Sequence, residues 1–146
     1  MRLYTIGFTQ KSAQQFFELL QQNGVQCLVD IRLHPGGQLS GFAKQADLRY
    51  FLDRLIGCDY QHLSVLAPDE EFLVQYRRDH DWSRYAECFE ALMDERDVPQ
   101  ILDRSAFERT VICLLCSEAQ PERCHRRLVA ERLARAWPAV EIVHLT

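Results

Sequence analysis

Short apolar runs alternate with stretches of helical periodicity along the whole chain, and this alternation restricts the fold more than any other feature. Leu3-Tyr-Thr-Ile-Gly-Phe8, Cys27-Leu-Val-Asp-Ile31, Tyr60-Gln-His-Leu-Ser64, Thr110-Val-Ile-Cys-Leu-Leu115 and Val140-Glu-Ile-Val-His-Leu145 read as strands. Between them, Ser12 is an N-cap for a helix whose apolar residues Phe16, Phe17, Leu19 and Leu20 end at Asn23-Gly24. Asp47 to Ile56 reads as a helix stopped by Gly57, Trp82 to Glu95 as another, and Pro121 to Ala136 as the last. Pro68 to Asp81 is charged and aromatic, and reads as irregular or a short helix. The pattern predicts an α/β fold: a single three-layer, Rossmann-like domain with a mainly parallel sheet of about five strands and helices on both faces.

At 146 residues, 47% of them hydrophobic, the chain holds one well-packed core and is too short for two ordinary domains. The formal net charge of -4 gives no whole-protein attraction to nucleic acid or to an anionic membrane. The N-terminal segment lacks an apolar signal region, and no apolar stretch approaches the roughly 20 residues that span a bilayer. A cytoplasmic protein without membrane attachment is expected. Six cysteines without a signal peptide read as reduced thiols. Cys27 and Cys113 lie inside strands and, like Cys58 and Cys88, act as small hydrophobes.

Cys116-Ser-Glu-Ala-Gln-Pro-Glu-Arg-Cys-His-Arg126 collects two thiols, carboxylates, an imidazole and guanidinium groups where a strand hands over to a helix. In open α/β sheets ligands gather at that edge. Parallel strands closing at Gly7, Ile31 and Leu115 bring Asp30, Arg32 and the Cys116 loop together. A helix opening near Pro121 aims its amides and positive dipole end at the same place, which favours a thiolate or an anion.

Cys116 is a candidate nucleophile, with a buried strand end as the competing reading. Glu118 suits a general base or a ligand hydroxyl; the alternative is an exposed loop carboxylate. His125 and Arg126 can donate to a phosphate or carboxylate, while a His125 contact to Asp30 would instead brace two loops. Asp30 and Arg32 share one face of a strand end, as a ligand-binding pair or a structural ion pair. Tyr60 and His62 alternate on the third strand and are candidates for the same edge, with a packed Tyr and a surface His as the competing reading. Arg123, Arg127, Arg132 and Arg135 read as the solvated side of the last helix. A phosphatase loop of the Cys-x5-Arg type is excluded by register, because Glu122 occupies the arginine position. Cys116, Cys124 and His125 carry metal-ligand atoms, but Cys-x7-Cys-His is not a standard zinc spacing and adjacent residues rarely reach one ion, so no metal and no cofactor are expected.

Four motifs in order, Tyr4-Thr-Ile-Gly-Phe8, Leu28-Val-Asp-Ile-Arg32 with Pro35 and Phe42, Tyr60-Gln-His62 with Leu66, and Cys116-x-Glu118 with Cys124-His-Arg126, give a chain that resembles the DUF488 proteins, a family of unknown function. The resemblance implies a compact α/β fold and a pocket built from Asp30, Arg32, Cys116, Glu118, Cys124, His125 and Arg126. Gly37-Gln38 stand where family members often have Ser-Arg, so Lys44, Arg49 or backbone amides of the glycine-rich loop would replace that arginine. Three functions are consistent with these residues. The first is an enzyme for an anionic, phosphate-bearing substrate such as a nucleotide or nucleic-acid end. The second is a non-catalytic binding or adaptor domain presenting Phe72, Tyr76 and Trp82, and the third is thiol redox or sulfur-transfer chemistry through Cys116 and Cys124.

Overall fold

The computed structural model describes residues 1–146, apart from the side chains of Gln38 and Leu39. Five parallel strands, β1 (Arg2–Gly7), β2 (Cys27–Asp30), β3 (Asp59–His62), β4 (Ile112–Cys116) and β5 (Glu141–Leu145), form one sheet in the order β3-β2-β4-β1-β5. Six helices, α1 (Ala13–Gln22), α2 (Gln45–Ile56), α3 (Glu70–Asp79), α4 (Trp82–Glu95), α5 (Arg104–Arg109) and α6 (His125–Ala136), complete the three-layer α/β architecture.

Each strand is flanked by apolar side chains that alternate between two cores. Tyr4, Ile6, Leu28, Cys113 and Leu115 point to the side covered by α1 and α2, where Phe16, Phe17, Leu20, Leu48 and Leu52 are buried. Leu3, Val29, Ile112 and Leu114 point to the opposite side, packed by Phe89 and Met93 of α4 and by Val129 and Leu133 of α6. The period of two within each strand therefore supplies both faces of a buried parallel sheet. β4, buried at every position, occupies the middle.

The ends of the helices follow local chemistry. Ser12 accepts from the Gln15 amide while the Gln15 side chain returns to the Ser12 amide, a capping box that starts α1. Gly57, at φ 61°, ends α2 in the left-handed conformation that favours glycine. The last helix starts four residues later than the sequence pattern predicts. Pro121, Glu122 and Arg123 form a turn, Cys124 is the N-cap, and His125 is the first helical residue. Pro68 to Asp81, expected to be irregular or briefly helical, contains the ten-residue α3.

Because β2, β4 and β1 are neighbours, Asp30, Cys116 and Gly7 end side by side at the carboxyl edge of the sheet. No helix is long and apolar enough to cross a membrane among the described residues.

Candidate active site at the carboxyl edge of the sheet

A cavity of about 450 Å³ opens at this edge. Cys116, Ser117, Glu118, Arg123, Cys124 and His125 form its floor and one side. Leu73, Tyr76, Arg77, His80, Trp82 and Tyr85, from α3, α4 and the turn joining them, form the opposite wall.

His125 is fixed by its position at the start of α6. Its Nε2 lies 2.8 Å from the Ile31 carbonyl oxygen and its Nδ1 lies 3.4 Å from Cys116 Sγ. A carbonyl only accepts, so Nε2 carries a proton and donates it to Ile31. In the neutral ring Nδ1 then holds the lone pair facing the thiol. The ring also packs on Phe89, with centroids 5.5 Å apart. Cys116 is 5% exposed and Cys124 2%, yet both border the cavity.

The two thiols are pushed in opposite directions. A hydrogen bond from Cys124 lowers the Cys116 pKa against the cost of burial, helped by the backbone amides of Glu118 and Ser117 and by the Arg126 charge. Burial pushes Cys124 well up, and its hydrogen bond to Cys116 adds to the rise. Among the other cysteines, burial raises Cys27 to about 11 and Cys58 to about 12, and pushes Cys113 well up. Cys116 is thus set apart as the thiol placed to form a thiolate.

Arg126 does not line the cavity. It is fully buried beneath the loop, where its guanidinium donates to the carbonyl oxygens of Glu118 and Ala119, to Thr5 Oγ1 at 3.2 Å and weakly to Cys124 Sγ at 3.7 Å. Thr5 in turn contacts His144 Nδ1 at 2.6 Å. An arginine expected to meet a ligand instead holds the Cys116 loop against β1. This satisfies two backbone carbonyls that have no strand or helix partner.

Asp30 and Arg32 form a second buried support. The Asp30 carboxylate accepts from the Arg32 amide, Nε and Nη2, and from the Tyr60 hydroxyl at 2.6 Å. Arg32 also donates to the Ala43 carbonyl and lies over the Phe8 ring at 5.3 Å. Burial and the Asp30 contact raise the Tyr60 pKa. His62 reaches the Arg32 carbonyl at 2.8 Å. Of these four residues only Arg32 borders the cavity, and its guanidinium is already paired.

Glu118 is exposed at the rim of the cavity. Neither Lys44 nor Arg49 lines the cavity; Arg49 lies over the Tyr60 ring instead, and the Gln38 side chain falls outside the described residues. Phe72, Tyr76 and Trp82 are half-buried around Tyr85 rather than displayed. Arg132 is tied to Glu90, Asp94 and the Val98 carbonyl, whereas Arg123 is exposed at the cavity.

Arg77, His80 and Arg123 were not singled out as site residues by the sequence pattern, since each looks like an ordinary surface charge. Arg77 and Arg123 make no hydrogen bond or ion pair among the described residues, which leaves two cations for a ligand. His34, also at the rim, is paired with Glu70 at 2.6 Å.

Cys116 Sγ, Cys124 Sγ and His125 Nδ1 all lie within 4.8 Å of one another. Adjacent residues 124 and 125, expected not to reach one ion, do converge, because one caps α6 and the other begins it. Two sulfurs and an imidazole whose other nitrogen donates to a carbonyl make a soft donor set.

These features define a class: a three-layer α/β domain with a thiol and an imidazole paired at the floor of a cavity on its carboxyl edge. The family described as domain of unknown function DUF488 matches residues 12–133, and the chain belongs to it. No curated protein and no solved structure matches the chain.

Proposed function

We propose that the protein is an enzyme that uses Cys116 as a nucleophile, with His125 exchanging its proton, on a small anionic substrate carrying a phosphate. The observation that carries this reading is the chain Cys116 Sγ to His125 Nδ1 to Ile31 carbonyl. A proton passed from the thiol to Nδ1 gives a ring with both N–H groups partnered and a thiolate beside it, the arrangement that activates a weak nucleophile. The Ser117 and Glu118 amides that favour the thiolate are also placed to stabilise negative charge developing on a substrate.

Arg77 and Arg123 supply charge for the phosphate, while the half-buried Tyr76 and Trp82 give the same wall aromatic surface for a carrier such as a nucleobase. Glu118 stands where it can accept a hydroxyl from the same ligand. The matching substrate is a nucleotide-sized molecule, since a cavity of about 450 Å³ fits one such ligand.

Iodoacetamide labelling of each cysteine across pH, read by peptide mass spectrometry, tests the nucleophile. Cys116 is expected to label with a midpoint below the ordinary thiol range, and His125→Asn to slow it about tenfold at pH 7. A Cys116 that labels no faster than Cys88 would remove the basis of the reading. Nucleoside monophosphates are expected to protect Cys116 better than inorganic phosphate does. The Arg77→Ala, Arg123→Ala double variant is expected to weaken that protection about tenfold, or ~1.4 kcal/mol. Equal protection in wild type and double variant would take the phosphate out of the reading.

A further inference from the structure

We propose that Cys124 is a resolving thiol for Cys116: a hydroperoxide entering the cavity oxidises Cys116, and Cys124 then closes an intramolecular disulfide. The proposal rests on the Cys116 thiolate reading and adds a second reaction to the same pocket. Both residues border the cavity, and their sulfurs lie within 4.8 Å of one another. Cys27, Cys58, Cys88 and Cys113 do not border it. The partner for an oxidised Cys116 is therefore already chosen by position.

In the first step the Cys116 thiolate attacks one peroxide oxygen and the O–O bond breaks. Cys116 becomes a sulfenic acid, and the other oxygen leaves as an alcohol, or as water from hydrogen peroxide, after taking a proton. The proton held at His125 Nδ1 is within reach of that leaving oxygen. In the second step the Cys124 sulfur attacks the Cys116 sulfur, an S–S bond forms, and the S–O bond breaks. The hydroxyl leaves with the Cys124 proton as water. The two thiols lose two electrons and the peroxide gains them.

Local structure allows the closure. A disulfide brings the sulfurs to about 2.05 Å, so they must approach by less than 3 Å. Residues 117–123 between them form bends and a turn, with no strand or helix to break. Cys116 is the last residue of β4 and Cys124 the cap of α6, so each can shift at the end of its element. The opposite shifts of the two thiols agree with this division of labour, one ready to ionise and one held protonated until its neighbour is oxidised. Closing the bond consumes the Cys116 thiol, so the first activity stops until a thiol reductant reopens the site.

The test treats the reduced, full-length protein with one equivalent of hydrogen peroxide and maps peptides without reduction. A Cys116–Cys124 link that dithiothreitol reverses is expected, with Cys116 iodoacetamide labelling slowed at least about tenfold in the oxidised form. In Cys124→Ser, dimedone should label Cys116 as a trapped sulfenic acid, while Cys88→Ser should form the link like wild type. Cys116 that labels quickly with iodoacetamide but never links to Cys124 overturns the proposal and leaves the nucleophile reading standing. Cys116 inert to both reagents overturns both. A protein that holds one zinc ion on Cys116, Cys124 and His125, and frees them only on chelation, also overturns it.

Discussion

Asp30→Ala is expected to destabilise the protein by about 3–5 kcal/mol, the range for leaving a buried charge without its partner. For a chain of this size the melting temperature would fall by about 10 °C. Asp30 is 0% exposed and Arg32 4%, so bulk water does not reach the guanidinium to replace the carboxylate in full. Arg32 Nε and Nη2 and the Tyr60 hydroxyl lose their acceptor together. A surface ion pair such as Arg2 with Glu141, both largely exposed, is worth less than about 1 kcal/mol, and its removal is the natural control. The Asp30→Ala, Arg32→Met double variant separates the causes. It removes the stranded guanidinium and is expected to recover part of the loss, because an apolar replacement of both partners often costs little. Urea unfolding of the three variants checks the prediction, and an Asp30→Ala loss below about 1 kcal/mol would refute the buried-charge account. The effect should also reach the site. Asp30 precedes Ile31, whose carbonyl sets the His125 ring, so Cys116 labelling at pH 7 should slow in the single variant even where it stays folded.

The strands were legible because parallel, doubly covered strands must be apolar on both faces, and Ile112 to Cys116 is buried throughout. Ser12 and Gly57 mark the ends of α1 and α2 with side chains and backbone angles that act within a few residues, and local signals of that kind survive in sequence. The convergence of Gly7, Asp30 and Cys116 followed from parallel strands alone. The wall opposite Cys116 did not. Helix α3 has no buried residue, and Leu73 and Tyr76 are only half-buried, so its periodicity is faint and its role is decided by how it docks. Arg77 and His80 become cavity residues through that docking. The placement of Arg126 was hidden for a related reason. An arginine at a helix start can meet a ligand or turn inward, and here the unpaired carbonyls of Glu118 and Ala119 draw it under the loop. Those carbonyls lie ahead of the α6 N-cap, Cys124, so no amide of the helix ladder reaches them and the arginine becomes their partner.

Gly7→Ala is expected to cost about 3 kcal/mol or more and to disorganise the site at the same time. A Cβ at Gly7 would overlap the Glu118 carbonyl oxygen and sit 2.5 Å from its carbon and 2.9 Å from Arg126 Nη1. The neighbour is backbone, so no side-chain rotation relieves the overlap; the loop itself must lift. Lifting it separates the Glu118 carbonyl from Arg126 and also strains the adjacent bond from the Thr9 amide to the Ser117 carbonyl, 3.2 Å long. Arg126 is fully buried and cannot find water in exchange, which adds the cost of an incompletely partnered charge. Gly36→Ala provides the contrast, since nothing lies within 4 Å of a Cβ there and the change should fall within about 0.5 kcal/mol of wild type. Thermal unfolding reads the stability of both variants, and Cys116 labelling well below the melting point reads the site. Movement of the Glu118 and Ser117 amides away from Cys116 should carry its labelling midpoint up toward the ordinary thiol range. A Gly7→Ala protein as stable as wild type, with an unchanged Cys116 midpoint, would show that the contact between β1 and the Cys116 loop does not position the thiol. If both change together, one missing side chain on β1 gives the Cys116 loop its seat, and the requirement for glycine in Thr5-Ile-Gly7 is a requirement of the site as much as of the strand.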